Sequence, residues 1–151
     1  MVGIRECREE DLELLESCIP SPGRTRRHAA RFEQQRRGLT TFLIAWAETA
    51  PVGTGQVLWH GCAAPEVRQL YPNCPELNGL GVWPPELRSQ GIGSAIIDAA
   101  EGLARRRGHE TGCRYLDRYH YIDDHGTRHE VVDPARFLVK QLGRAGGVQP
   151  S

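Results

Sequence analysis

Residues 88–94, Arg88-Ser89-Gln90-Gly91-Ile92-Gly93-Ser94, combine a cation with two glycines one residue apart. Glycine carries no side chain, so backbone N–H groups beside it can approach an anion. The apolar residues Ile92, Ile96, Ala99 and Leu103 follow at steps of four, three and four, which is one face of a helix. The loop therefore opens a helix, whose N-terminus adds unpaired donors and the positive end of a dipole. Arg88 adds a group able to grip a phosphate oxygen. Together these residues have the chemistry of a diphosphate cradle. Lys and Ser/Thr do not follow at the spacing of a Walker A loop, and a full G-x-G-x-x-G fingerprint is also absent.

A second constellation has metal-ligand chemistry. His120, Asp123, Asp124, His125 and His129 crowd one stretch, and imidazole and carboxylate suit zinc, manganese or iron. Turns routinely prefer Asp and Gly, however, and no known ligand spacing is matched. The ordinary reading, a hairpin turn that happens to carry His, is preferred, and no metal ligand is assigned. His60, Cys62 and Cys74 form a weaker set still.

Several elements must position these residues. Val2–Glu6 reads as a short strand. Asp11 precedes Leu12, Leu14, Leu15 and Ile19, a helix that stops at Pro20. His28–Arg37 reads as a second, mostly polar helix ended by Gly38. Thr40–Glu48 and Thr54–Trp59 read as an antiparallel hairpin turning at 50–53. Residues 61–75, with Pro65, Pro72 and Pro75, form a long excursion. Glu76–Trp83 is a strand with two internal glycines, which mark a bulge or a close approach. The signature helix ends at Gly108, with Arg105, Arg106 and Arg107 in its last turn. Cys113–Ile122 and 127–142 complete the chain's strands, and 143–151 is a Gly-rich tail expected to fray.

The order V-x-P-P-E-L-R-S-Q-G-I-G-S-A-I-I resembles the acyl-coenzyme A signature of GNAT N-acetyltransferases. Its core is Arg or Gln, two residues, Gly, one residue, then Gly or Ala. Arg88, Gly91 and Gly93 fill those places, while Ser89 stands where the family often has Gly. The upstream order of strand, two helices, hairpin and bulged strand agrees, over roughly residues 1–108. The resemblance implies acetyl-coenzyme A (acetyl-CoA) as cosubstrate. The backbone of Leu80, Gly81 and Val82 would pair with the pantetheine arm. Arg88, Ser89, Gln90, Gly91, Ile92, Gly93 and Ser94 would hold the pyrophosphate.

In the family, the signature helix leads to a strand and a further helix before the last hairpin. Here only His109, Glu110, Thr111 and Gly112 precede Cys113. About 30 residues are missing by typical element lengths. That segment usually supplies an Asn on the cofactor and a Tyr general acid. The absent strand has to come from the final segment or a second subunit, or it is not replaced. For the aminolysis that the resemblance implies, Glu76 is the candidate base. An N–H near Gly79–Gly81 is the candidate oxyanion donor, and Tyr115 is a substitute acid. Glu76 is equally readable as an exposed strand-end acid. Tyr115, Tyr119 and Tyr121 alternate on one strand face, the usual pattern of sheet packing.

Composition bounds these readings. The chain has 151 residues with 39% hydrophobic and 25% charged, enough for one globular domain, assigned to 1–142. Nineteen basic residues balance nineteen acidic ones, so no net field favours nucleic acid or an anionic membrane. The basic run Arg24, Arg26, Arg27, Arg31, Arg36, Arg37 reads first as a solvated helix face, and second as an anion-binding rim for a cofactor phosphate. Five cysteines with no C-x-x-C pair argue against a disulfide framework and fit a cytoplasmic location. The N-terminus has no signal-peptide pattern, and no apolar run is long enough to cross a bilayer.

The expected fold is α/β (α+β), a mixed, mostly antiparallel sheet flanked by helices with a shortened C-terminal half. The expected function is acetyl transfer to a small-molecule or peptide amine, without nucleic acid or membrane. A homodimer would cover an exposed sheet edge. The alternatives are a non-catalytic acyl-CoA-binding or degenerate module and, behind it, a His/Asp metal protein.

Overall fold

The computed structural model describes residues 2–23, 25–62, 65–122, 125 and 127–142, and the backbone alone for Val67, 113–122 and 128–139. The tail expected to fray, 143–151, lies outside the described residues, as do Asp123 and Asp124.

The elements run β1 (Gly3–Glu6), α1 (Leu12–Cys18), α2 (Arg27–Arg36), β2 (Thr40–Ala47), β3 (Ala50–Leu58), α3 (Pro65–Leu70), β4 (Glu76–Val82), α4 (Ile92–Arg106), β5 (Thr111–Ile122) and β6 (Arg128–Gln141). The six strands lie side by side in chain order. Every neighbouring pair is antiparallel except β4 and β5, which are parallel. This is the mixed, mostly antiparallel sheet expected from the sequence.

Alternation along the strands separates two faces. Phe42 and Ile44 pack with Leu15, Cys7 and Phe32, so α1 and α2 cover one face. Leu43, Val57 and Leu77 pack with Ala100 and Ala104 on the other, which α4 covers. Ile92 and Ile96 continue that second layer over Ala45 and Val52. The helix approaches β3 closely because Gly55 has no side chain. A β-carbon there would lie 2.7 Å from Ile96 Cγ2.

The β2–β3 hairpin turns at Glu48 and Thr49, since Ala47 already pairs with Ala50. The expected turn at 50–53 is therefore strand. Pro and Gly in Ala50-Pro51-Val52-Gly53 gave the turn signal. Pro51 is tolerated near the strand's start, where the pairing with β2 is already irregular.

The largest difference lies after Gly108. The strand expected to be absent is β5 itself, the stretch read as Cys113–Ile122, which pairs in parallel with β4, while the final segment forms β6 and pairs with β5. Only residues 123–127 separate β5 from β6. In β6 two extra residues sit around Pro134, between the pairs Leu116↔Arg136 and Arg118↔Val132. Proline has no N–H to give to a ladder, which fits a bulge there.

The cysteine expectation needs one correction. Cys7, Cys18 and Cys74 are free, but Cys62 is disulfide-bonded. Cys62 is thus not available as a thiolate ligand beside His60 and Cys74. No helix among the described residues is long and apolar enough to cross a membrane.

Candidate functional site

Strands β4 and β5 are joined only at Glu76↔Cys113 and Leu77↔Arg114. Beyond Leu77 they part, and the β5 side of Asn78–Val82 has no strand partner. The other side of β4 stays paired with β3 through Thr54↔Gly81 and Gly53↔Val82. The result is a wedge whose open edge displays the backbone of Leu80, Gly81 and Val82. An extended polar chain could pair with that edge as an added strand does.

A bulge shapes this edge. Gln56 faces Asn78 and Thr54 faces Gly81, so Gly79 and Leu80 together oppose Gly55 alone. Gly79 sits at φ +61, the left-handed conformation that glycine adopts without a Cβ clash. The two glycines read from the sequence as a bulge signal are its cause and its neighbour.

The loop from Arg88 to Ser94 closes the wide end of the wedge. Gly91 caps α4 at φ +88, and no side chain bonds the cap. The first-turn N–H groups of Ile92, Gly93 and Ser94 have no intrahelical acceptor. Gly93 is neither crowded nor at positive φ, since a β-carbon there would meet nothing within 4 Å. Packing and backbone strain therefore do not explain its missing side chain. The space beside it is open, and Gly81 shows the same openness. Ser89 lies at φ +64, a left-handed conformation that glycine adopts freely, at about 1–2 kcal/mol of local strain. Arg88 is exposed and its Nε donates to Val82 O at 3.3 Å, which ties the loop to the end of β4. The donors, the exposed cation and the uncrowded glycines fit a diphosphate.

Glu76 lies at the narrow end of the wedge. It is fully buried, so the reading as an exposed strand-end acid does not hold. It alternates with Leu77, which faces α4, so Glu76 belongs to the α1/α2 face. Its carboxylate adds to the burial that raises the neighbouring Cys74 thiol, while a bond with Thr111 opposes the rise. Tyr115 follows Arg114, the last residue of β5 paired with β4. Its backbone is on the diverging arm, and its side chain lies outside what is described. The side chains of His120 and His129 do too, so with Asp123 and Asp124 the metal constellation falls mostly outside the described residues. Among the described residues no group of three or more His, Cys, Asp or Glu could hold a metal ion.

One residue at this site was not singled out in the sequence. Arg31, on α2, lays its guanidinium against Gly79 of the bulge, where a β-carbon would lie 2.8 Å from Cζ. Its Cζ sits 5.8 Å from the Phe42 ring centroid. Burial and then nearby Arg27 push its pKa down to about 10. The signal was present in the spacing. His28 is buried, Phe32 packs in the core, and Gln35 bonds Cys7 O and Phe42 N at 2.9 and 2.7 Å. Arg31 stands on that inward face.

On the opposite face, a cavity of about 300 Å³ lies between α4 and the sheet. Its apolar wall includes Val57, Leu77, Ile97, Ala100 and Leu142. Glu101 and Lys140, also on its wall, are joined at 2.9 Å.

Residues 7–125 match the family model described as "Acetyltransferase (GNAT) family". No curated protein matches the chain. Among solved structures, an N-acetyltransferase from Staphylococcus aureus Mu50 is similar at 16% identity and a TM-score of 0.65, covering 95% of this chain and 99% of its own. The PaiA N-acetyltransferase of Thermoplasma acidophilum, in complex with coenzyme A, is 17% identical at a TM-score of 0.61, with 93% and 99% covered. YncA, a putative acetyltransferase from Salmonella typhimurium with its cofactor acetyl-CoA, is 13% identical at a TM-score of 0.61, with 100% and 99% covered. At these identities the likeness is one of fold.

Proposed function

The chain belongs to the GNAT acetyltransferase family, and from that premise we propose that it transfers an acetyl group from acetyl-CoA to a primary amine on a small molecule or peptide. The observation that carries this reading is the wedge. It has an unpaired β4 edge, a glycine bulge and an uncapped helix N-terminus along one continuous path. Two structural neighbours of the same fold hold coenzyme A or acetyl-CoA.

In this proposal the backbone of Leu80, Gly81 and Val82 binds the pantetheine arm. Arg88, Ser89, Gln90, Gly91, Ile92, Gly93 and Ser94 hold the pyrophosphate with N–H donors and one guanidinium. The thioester supplies the acetyl carbon. The acceptor nitrogen attacks that carbonyl, the C–S bond breaks, and the thiolate leaves. Glu76 takes the ammonium proton, directly or through water. A backbone N–H at Gly79–Gly81 faces the carbonyl oxygen as charge gathers on it. Tyr115 is the candidate donor to the thiolate. A homodimer belongs to the same proposal, because β1 and β6 are both sheet edges.

A second reading rests on the short β5–β6 connection. Five residues leave no room for the helix that carries the family's usual general acid, so a binding module without turnover is the alternative. Calorimetric titration with acetyl-CoA, beside a doubly substituted Arg88→Ala, Gly91→Asp protein, tests the shared part. Micromolar binding lost in that variant supports the wedge. Acetylation across an amine panel then separates transferase from module. Absence of binding by the native chain would overturn both.

A further inference from the structure

We infer that Arg31 selects the acceptor, and that the acceptor is an amine bearing a carboxylate a few bonds from its nitrogen, as in a free amino acid. This rests on the transferase reading and specifies its substrate.

Three observations carry it. The first is an unmatched charge. Arg5 pairs with Asp11, Arg36 and Arg37 with Glu33, and Arg105 with Glu101, while Arg26, Arg27 and Arg88 are exposed to water. Arg31 is half-buried, and among the described residues no carboxylate bonds or pairs with it. A cation removed from water without an anion is costly, and the charge that acts on it is that of another cation, Arg27. The second is position. The guanidinium touches Gly79 at the bulge, where the acyl carbon is expected, and Glu76 lies three residues upstream on the same face, roughly 10 Å along the strand. An amine held between them would bring its carboxylate to Arg31 only if the two groups were close. The third is the face. Arg31 projects from α2, while the diphosphate loop opens α4 on the other side of the sheet. The sheet separates Arg31 from the phosphates, so the cofactor-phosphate role considered for the basic run does not extend to it.

Guanidinium and carboxylate match as planar, two-point partners. Phe42 beneath the guanidinium and the backbone of Gly79 beside it restrict the directions from which an anion can approach. Gln34 and Gln56, hydrogen-bonded at 2.5 Å across the same face, add neutral polar groups and no competing anion.

The test compares amino acids with their carboxamides as acceptors, for the native protein, Arg31→Gln and Arg31→Lys, by release of free coenzyme A thiol. The native protein should favour the carboxylate form by roughly 10- to 100-fold in kcat/KM. Arg31→Gln should lose that preference while acetyl-CoA affinity stays unchanged, and Arg31→Lys should recover part of it. Equal use of both acceptor forms would overturn the inference. So would a preference that survives Arg31→Gln, or an acetyl-CoA affinity that falls with the substitution. If nothing is acetylated, calorimetric titration of the coenzyme A-loaded protein with the same pairs decides. Carboxylate-selective binding lost in Arg31→Gln keeps the inference while the transferase reading fails. Absence of selective binding sinks it.

Discussion

Arg31 and Gly79 fit together as a side chain and a vacancy, because the guanidinium occupies the space a β-carbon on Gly79 would need. Gly79 also lies at φ +61. Gly79→Ala thus meets left-handed strain of about 1–2 kcal/mol, and it must also push aside the flexible tip of Arg31, which adds little. We expect a loss of about 1–2 kcal/mol in denaturant unfolding. Any acetylation should fall further than acetyl-CoA affinity does, because the bulge and the acceptor side move together. A variant with native stability would show that the bulge relaxes freely.

Arg5 and Asp11 tie β1 to the start of α1 with two parallel hydrogen bonds of 2.7 and 2.8 Å. Arg8 N–H donates a third to Asp11, at 2.8 Å. Asp11 is buried, and the Arg5 bond holds its pKa below the ordinary carboxylate value, with burial opposing. A lowered folded pKa gives stability that is complete above the unfolded pKa of about 4 and is lost as pH falls through the folded value. Asp11→Asn should therefore cost about 1–3 kcal/mol at neutral pH. The gap to the native protein should narrow steadily below about pH 4. Chemical denaturation at a series of pH values checks this, and a gap independent of pH would refute the assignment.

Local chemistry made much of this fold legible. The spacing of Ile92, Ile96 and Leu103 gave α4, and Gly38 and Gly108 marked helix ends at φ +78 and +84. The loop at Gly91 and the helix it opens were legible because glycine spacing and helical periodicity are both written locally. The β4–β5 contact was not, because it consists of two residue pairs between distant segments. No periodicity encodes that, and a hairpin without its helix looked like a missing strand. Arg31 was hidden by its neighbours. Five other arginines in the run read as a solvated face, and only the packing of Phe32 and Gln35 shows which one turns inward. The burial of Glu76 was equally invisible, because a strand's first residue carries no local mark of what covers it.

Gly55 sits where α4 presses on β3, and Ile96 is itself fully buried. Gly55→Val would force a branched side chain into a 2.7 Å gap. Overpacking of this kind costs about 1–3 kcal/mol. Thermal unfolding should show a lower Tm for this variant, and Ile96→Ala in the same background should restore part of the loss. Failure of that rescue would mean that the strain is taken up elsewhere.

Gly93 separates binding from stability more cleanly. A β-carbon there meets open space, and the backbone is ordinary helix. Gly93→Asp should fold normally and gain about 0.3–1 kcal/mol, since a carboxylate in the first turn complements the helix dipole. The same carboxylate would stand against the diphosphate. Acetyl-CoA binding should vanish in a protein as stable as the native one, read by calorimetry and thermal unfolding together. Retained binding would place the cofactor elsewhere.

Glu76→Gln keeps the side chain's volume and removes its basicity. Because Glu76 is at the narrow end of the wedge and the loop proposed to hold the pyrophosphate is at the wide end, acetyl-CoA affinity should not change. If Glu76 takes the ammonium proton, turnover should fall by roughly 10²–10⁴-fold. Raising the pH should recover part of the rate, because a larger fraction of the acceptor amine then arrives already neutral. That recovery distinguishes a base from a structural carboxylate. A variant that is merely misfolded would lose affinity and show no recovery, and one with native turnover would remove Glu76 from the reaction.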